Sequence, residues 1–589
     1  MAKLDAAQSA AIPIPDARPV ERSGSLAGIG WASAVAGACL LAALVFTWPL
    51  PLHLTSTVPL GTEHASTVHL FTIWTLWWTA DRAAHGFANY WDAPSFYPNA
   101  GVFTFSEPEP LTGLAVSPLW AMGASPALIH NVALLAILVL NGVFAYRLAR
   151  ALDAPRFVSL LGGVLGVMLP FSALMMGVVN LIPAFGFLWT LEGLVRFGRD
   201  GSAGNAAWTA AGFLAAYLTC QQYALMFVPF AAAAGIVALW QRKFEWRSIV
   251  KLGVAGAVAG LIIAWIALPA LRLHEELGFA RSELVVQRLS ARPVDFLTRP
   301  ETAAVPFPPA HKLEEDTGGL FPGAILSVLA VAGAVIGIRD PRRRRWTVVL
   351  VATALGAMIL AMGYNFGFGA LSPFGLLRSV VPGFAELRSV FRFAVIMQAV
   401  LPVLAVFALA ALSGRSRWVG ASLAAVLALA GAAENLSVPQ GLVAVPESPR
   451  TAWTEWLKGR GDLTAVAHVP FPAGLKVKDY EVEAWRMYAQ IDHGKPIVNG
   501  YSGYFPPGYT DFQLDMALRF PAADLICELN RGLEVDTLVV DRAWLADHEE
   551  GMSKVAGMLQ PLYDDADVQI YRMQTTEEQC KRETAQSDK

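Results

Sequence analysis

The chain has 589 residues, 55% of them hydrophobic and 15% charged, with a net charge of −3 and a mean hydropathy of +0.46. It is too apolar for an ordinary soluble protein, and its apolar residues fall in runs of about 20, the length that crosses ~30 Å of hydrocarbon as a helix. No basic domain or nucleic-acid-binding motif is present, and no Walker A or Gly-x-Gly-x-x-Gly stretch, so nucleic-acid partners and ATP chemistry are set aside.

Met1 to Ser25 mixes charges (Lys3, Asp5, Asp16, Arg18, Glu21, Arg22) with Ala and Pro. It reads as a disordered cytoplasmic tail, because the apolar run behind it is longer than the core of a cleaved signal. Apolar runs lie at 26–50, 126–147, 157–176, 180–197, 206–220, 223–240, 252–271, 320–338, 346–364, 392–413 and 418–434, which predicts about eleven transmembrane helices in a domain 26–434. Lys and Arg collect in alternate short connections, such as Arg147/Arg150/Arg156, Arg242/Lys243/Arg247/Lys251 and Arg339/Arg342/Arg343/Arg344/Arg345. The positive-inside rule then predicts a multi-pass plasma-membrane protein with its N-terminus in the cytoplasm. Its external pieces are the loops 51–125, 272–319 and 365–391 and a polar C-terminal region. Residues 435–575 carry strand-like runs (Ala465–Val469, Thr537–Val540, Val568–Tyr571) between turn signals, which predicts an extracytoplasmic α/β domain before a polar tail, 576–589. Export would permit a disulfide between Cys527 and Cys580.

The first loop, 51–125, is unusually long and rich in acids and rings. Leu70, Phe71, Trp74, Trp77 and Trp78 recur at helical spacing, which suits an amphipathic helix lying at the headgroup level. Beyond it, Trp91, Asp92, Phe96, Tyr97, Pro98, Glu107 and Glu109 sit among prolines that forbid long helices. A partly desolvated carboxylate on such a turn acquires the raised pKa that a general base needs, and nearby rings can stack on a sugar. The same acids equally suit helix capping. Arg388 and Arg392, spaced by four before the tenth span, would share a helix face and grip a phosphate; Arg281 is a further candidate. Gln221 and Gln222 fall where they could border an external cavity, and Glu192 and Arg196 are spaced as a structural ion pair.

This layout resembles the GT-C superfamily of membrane glycosyltransferases, and in particular bacterial members with a Trp-x-x-Trp-Trp segment, a Phe-Tyr-Pro turn and a Ser-Glu motif in loop one. Here these stand at Trp74 to Trp78, Phe96 to Pro98 and Ser106-Glu107, with a Pro-Gly-Phe…Arg…Arg-Phe segment through Arg388 and Arg392. The resemblance implies an α-helical polytopic fold with a C-terminal extracytoplasmic α/β domain. It also implies inverting transfer of a hexosyl or pentosyl group from a polyprenyl-phosphate donor to a glycan, lipid or protein acceptor. Glu63, followed by His64, best matches the family's early loop-one acid, with Glu107 second; the family more often has Asp there. Trp74, Trp91, Asp92, Tyr97 and Tyr501 are the expected sugar or acceptor contacts. No cofactor requirement is evident, although a divalent metal on Glu63 and His64 is admissible. A lipid or solute transporter, or a non-catalytic scaffold of the same fold, are the alternatives.

Overall fold

A computed structural model of the chain describes residues 26–279, 281–305, 308–310, 317–367, 371–414 and 418–581. The expected tail 1–25 and the end of the tail 576–589 lie outside the described residues. In chain order the first helices are α1 (Leu26–Phe46), α2 (Thr67–Ala84) and α3 (Pro110–Ala121). Then come α4 (Pro126–Ala151), α5 (Arg156–Val167), α6 (Pro170–Leu174), α7 (Phe185–Asp200), α8 (Ala203–Thr219), α9 (Gln221–Gln241) and α10 (Trp246–Glu276). They are followed by α11 (Glu283–Arg288), α12 (Ala324–Arg339), α13 (Arg344–Ala361), α14 (Pro373–Val380), α15 (Ala394–Ser413) and α16 (Val419–Glu434).

Each of the eleven predicted apolar runs holds a helix. Seven helical segments are long and apolar enough to cross a membrane, and three shorter apolar helices (Gly30–Phe46, Ala324–Arg339, Val419–Glu434) accompany them. This is a multi-pass membrane protein. Several helix ends differ from expectation because of proline. Pro170 cannot continue the ladder of α5, Pro183 delays α7 to Phe185, and Pro322 delays α12 to Ala324. The broken backbone between α5 and α7 is satisfied by polar side chains from neighbouring helices, as apolar surroundings require. Asn141 bonds Ile182 O at 3.0 Å and the Ala184 N–H at 2.8 Å; Gln398 accepts from the Phe171 N–H at 2.8 Å. Glu192 is fully buried and paired with Arg196 at 2.6 Å and Arg147 at 3.0 Å, the structural role its spacing suggested.

Helix α15 is the centre of the bundle, buried along most of its length and packed on α12, α13, α5 and α4. Helix α10 is its opposite: of its 31 residues only Ser248 and Ala259 are buried, and it leans chiefly on α8.

The C-terminal region holds α17 (Ala452–Lys458), α18 (Glu481–His493), α19 (Tyr509–Arg519) and a four-stranded sheet. A two-stranded sheet pairs β1 (Thr57–Pro59) with β2 (Leu442–Ala444) antiparallel. The larger sheet holds β3 (Val466–Val469), β4 (Thr537–Asp541), β5 (Leu559–Asp564) and β6 (Val568–Met573) in the order β3-β4-β6-β5, with only β3 and β4 parallel. β5 escaped the sequence reading because Pro561 interrupts it; the proline is tolerated at an irregular edge strand. Cys527 and Cys580 are disulfide-bonded.

The expected headgroup-level helix is a correction. Helix α2 forms, but Trp74 is 2% and Trp78 6% exposed, in a core shared with Met487 and Ile497 of the C-terminal domain. The Trp74 indole N–H donates to Gln490 at 2.8 Å, and Ser66 donates to Glu481 from its N–H at 2.9 Å and its hydroxyl at 2.6 Å. Backbone bonds run from the Tyr97 N–H to Ile497 O (2.9 Å) and from the Tyr504 N–H to Phe105 O (3.0 Å). The tryptophan stripe found a protein partner in place of lipid, and the first loop and C-terminal domain form one body.

Candidate active site

A cavity of about 530 Å³ lies where this body meets the ends of α8, α9 and α10. Its apolar part is walled by Phe213, Tyr217, Leu225, Val228, Ile263 and Ala267. Its polar end gathers Glu63, Glu107, Glu109, Arg281, Arg388, Arg392, His274, Glu386 and Tyr501. Six of the side chains expected to act as base, phosphate or acceptor contacts, namely Glu63, Glu107, Arg281, Arg388, Arg392 and Tyr501, therefore converge from four separate segments, and Gln221 and Gln222 border the same cavity as expected.

Glu63 is placed by a tight crossing. Gly61 takes φ +61°, where a side chain would be strained, and its Cβ would stand 2.6 Å from the Gly177 amide nitrogen. Thr62 ties the turn to Leu174 O at 2.9 Å, and the Leu60 N–H binds Gly441 O at 2.7 Å. The Glu63 carboxylate accepts no hydrogen bond among the described residues and faces the cavity. Burial pushes its pKa up, an effect that the charges of Arg392 and then His64 partly offset. Tyr501 is also pushed up, to about 12, by burial first and by the Glu63 charge second, so it stays a neutral hydroxyl beside that carboxylate.

Glu107 differs. Its two oxygens accept the Gln221 N–H at 2.8 Å and the Gln222 N–H at 3.0 Å, capping the start of α9. Burial still raises its pKa against those bonds. Glu109 is 4% exposed, carries one oxygen without a partner, and is held at φ 43°. Burial, then the neighbouring Glu107 charge, raises its pKa well above the usual carboxylate range.

The arginines are presented differently from the sequence expectation. Residues 387–389 are not helical and α15 begins only at Ala394, so the spacing of four does not place Arg388 and Arg392 on one helix face. Arg388 reaches the cavity from an irregular segment and Arg392 from a single 3-10 turn. Arg388 is exposed and makes no hydrogen bond or ion pair among the described residues. Arg392 donates to Gln222 Oε1 at 2.9 Å and leaves Nε unpartnered. Arg281 lies 3.6 Å over the Tyr504 ring and donates to Gly503 O at 2.7 Å. Among the described residues no carboxylate forms an ion pair with these three, so the cavity holds guanidinium charge available to an anion.

Other expected contacts lie elsewhere. Trp74 is in the core and borders a minor crevice beside Glu107; Trp91 packs on Tyr90 at 4.9 Å. Asp92 is exposed and accepts the Gly101 N–H at 2.8 Å, and Tyr97 packs on the C-terminal core. His274 and Glu386 were not foreseen as partners: His274 stands 3.3 Å from Glu386 and 2.9 Å from Thr104 O. Their separation of 112 residues leaves no local signal. His64 is exposed, and among the described residues no group of three His, Cys, Asp or Glu side chains is placed to hold a metal. Among the described residues, Glu63 and His64 are not joined by a third such side chain.

A family described as a domain of unknown function (DUF6311) matches residues 36–432. No curated protein matches the chain. Among solved structures, the arabinofuranosyltransferase AftD from Mycobacteria is similar at a TM-score of 0.56 and 16% identity, over 93% of this chain and 40% of that one. A mutant of AftD gives 0.55 at 14% identity, over 93% and 42%. The Archaeoglobus fulgidus oligosaccharyltransferase gives 0.46 at 14%, over 87% and 69%. The chain spans about two-fifths of the length of AftD. The likeness to AftD shows that this chain shares that protein's fold.

Proposed function

The chain belongs to the DUF6311 family, and we propose that it is a membrane glycosyltransferase using a polyprenyl-phosphate sugar. The observation that carries this reading is the convergence of an unbonded carboxylate, Glu63, with Arg281, Arg388 and Arg392 in one cavity that continues into an apolar cleft. The guanidiniums suit a phosphate, and the cleft between α8, α9 and α10 suits a prenyl chain. Such a donor carries its own activation, in keeping with the lack of a nucleotide-binding motif.

In the reaction, Glu63 takes the proton of an acceptor hydroxyl. The acceptor oxygen attacks the anomeric carbon from the face opposite the phosphate and forms the new C–O bond. The old C–O bond breaks with its electron pair passing to polyprenyl phosphate, whose charge Arg388 and Arg392 stabilise. The configuration inverts. Arg281 and Tyr501 frame the side on which the C-terminal domain would present a glycan, lipid or protein acceptor. The basic short connections favour a bacterial plasma-membrane topology with transfer on the extracytoplasmic face, and the Cys527–Cys580 bond favours export of the C-terminal domain.

The test is a transfer assay in nanodiscs with polyprenyl-phosphate pentose and hexose donors. Glu63→Gln should lower kcat by about 100-fold or more while leaving lipid-phosphate binding intact. Full activity in Glu63→Gln would remove Glu63 as the base. Uptake of solute by liposomes without any transfer would favour a carrier instead.

A further inference from the structure

Helix α9 starts without a capping side chain of its own. Cys220, the residue before it, is the single extended residue between α8 and α9 (φ −154°, ψ 102°) and offers no side-chain cap. The two first-turn amides at Gln221 and Gln222 are met instead by Glu107, from a loop 114 residues away in sequence. A carboxylate is the favoured group there, because the helix N-terminus carries partial positive charge. The very next group in the chain of contacts is functional: the Gln222 side chain accepts from Arg392 Nη1 at 2.9 Å. Among the described residues Arg392 has no carboxylate in direct contact and its side-chain hydrogen bond is to that amide, which therefore sets its aim.

We propose that Glu107 is a positioning residue that sets the donor arginine through Gln222, an inference resting on the donor-site reading above. With both oxygens drawn to the end of α9, Glu107 is spent on the helix and leaves proton abstraction to Glu63. Glu107 also lies two residues after Phe105, whose carbonyl accepts the Tyr504 N–H at 3.0 Å. The placement of Arg392 is thereby tied to the body formed by the first loop and the C-terminal domain.

The experiment measures polyprenyl-phosphate affinity, donor KM and kcat in nanodiscs for the wild type, Glu107→Gln, Gln222→Ala, their double variant and Glu63→Gln. Glu107→Gln and Gln222→Ala should each weaken lipid-phosphate binding and raise donor KM by about tenfold, the scale of one charge-assisted hydrogen bond. The double variant should be no worse than the poorer single, since both cut one linkage. The pH profile of kcat should keep its shape. Gln222→Ala leaves the backbone cap intact, so it reads the linkage even if Glu107→Gln folds poorly. Unchanged affinity in Gln222→Ala, or additive losses in the double variant, would overturn the proposal. So would a loss of kcat in Glu107→Gln with binding untouched, the mark of a base. A wild type that binds no polyprenyl phosphate would remove the donor-site reading and this inference together, whereas activity retained in Glu63→Gln would strike only the base assignment.

Discussion

Gly177 constrains the Glu63 site from outside the polar cluster. A Cβ added there would stand 2.4 Å from Leu60 O, 2.7 Å from His69 Nε2 and 3.0 Å from Glu63 Cγ. Carbon and oxygen need about 3.3 Å, so something must move by roughly 0.9 Å. The His69 ring is buried and held to Pro59 O at 2.8 Å, and Leu60 is pinned by its bond to Gly441. The strain therefore falls on the Glu63 turn. Gly177→Ala should cost ~1–3 kcal/mol in stability, as overpacking does. Displacing the base by about 1 Å should cut kcat by roughly 100-fold, about 2.7 kcal/mol of barrier. Arg388 and Arg392 are not touched, so polyprenyl-phosphate affinity should hold. Transfer rate at saturating donor, thermal midpoint and lipid-phosphate affinity, all in nanodiscs, give the three readings. A folded Gly177→Ala protein with kcat within about twofold of wild type would refute the link between this crossing and the base.

Two pH predictions follow from the carboxylates. Glu63 acts deprotonated and burial raises its pKa, so the acid limb of kcat/KM should lie above the ordinary value of 4.5; a limb at or below that value would exclude it as the titrating base. Glu109 is held above 4.5 in the fold, so the folded state binds its proton more tightly than the unfolded chain. The stability this contributes is complete below the unfolded pKa and is lost as pH rises towards the folded value. Glu109→Gln carries no such titration. Its stability relative to wild type, read from the thermal midpoint, should improve as pH rises above the ordinary carboxylate value of 4.5, by at most ~1.4 kcal/mol per pH unit. An offset that stays constant with pH would show that Glu109 does not titrate in this way.

The spans were legible because length and hydropathy are local, and misplaced ends trace to Pro170, Pro183 and Pro322. Strands β3, β4 and β6 were legible from their β-branched runs, whereas β5, with Pro561 inside it, was not. Glu63, Arg388 and Arg392 could be named from residue type and family likeness. Their meeting could not, and the helical argument offered for the arginines was wrong in geometry. The tryptophans misled for a physical reason. A stripe such as Trp74 and Trp78 records only that one face must be buried. Whether lipid or protein buries it depended on Gln490 and Met487, more than 400 residues further along.

Glu434 shows why a carboxylate's residue type alone could not settle the role of Glu107. Glu434 also caps a helix from afar, accepting the Ala324 N–H at 2.7 Å and the Ile325 N–H at 2.9 Å. It also pairs directly with Arg299, so that arginine's charge is met within the cap itself. Glu107 caps α9 in the same way, but the arginine reached through its helix is bonded to a neutral amide and faces a cavity. The first arrangement closes a helix end. The second closes a helix end and leaves a guanidinium charge available beside the apolar cleft, where a lipid phosphate would need it.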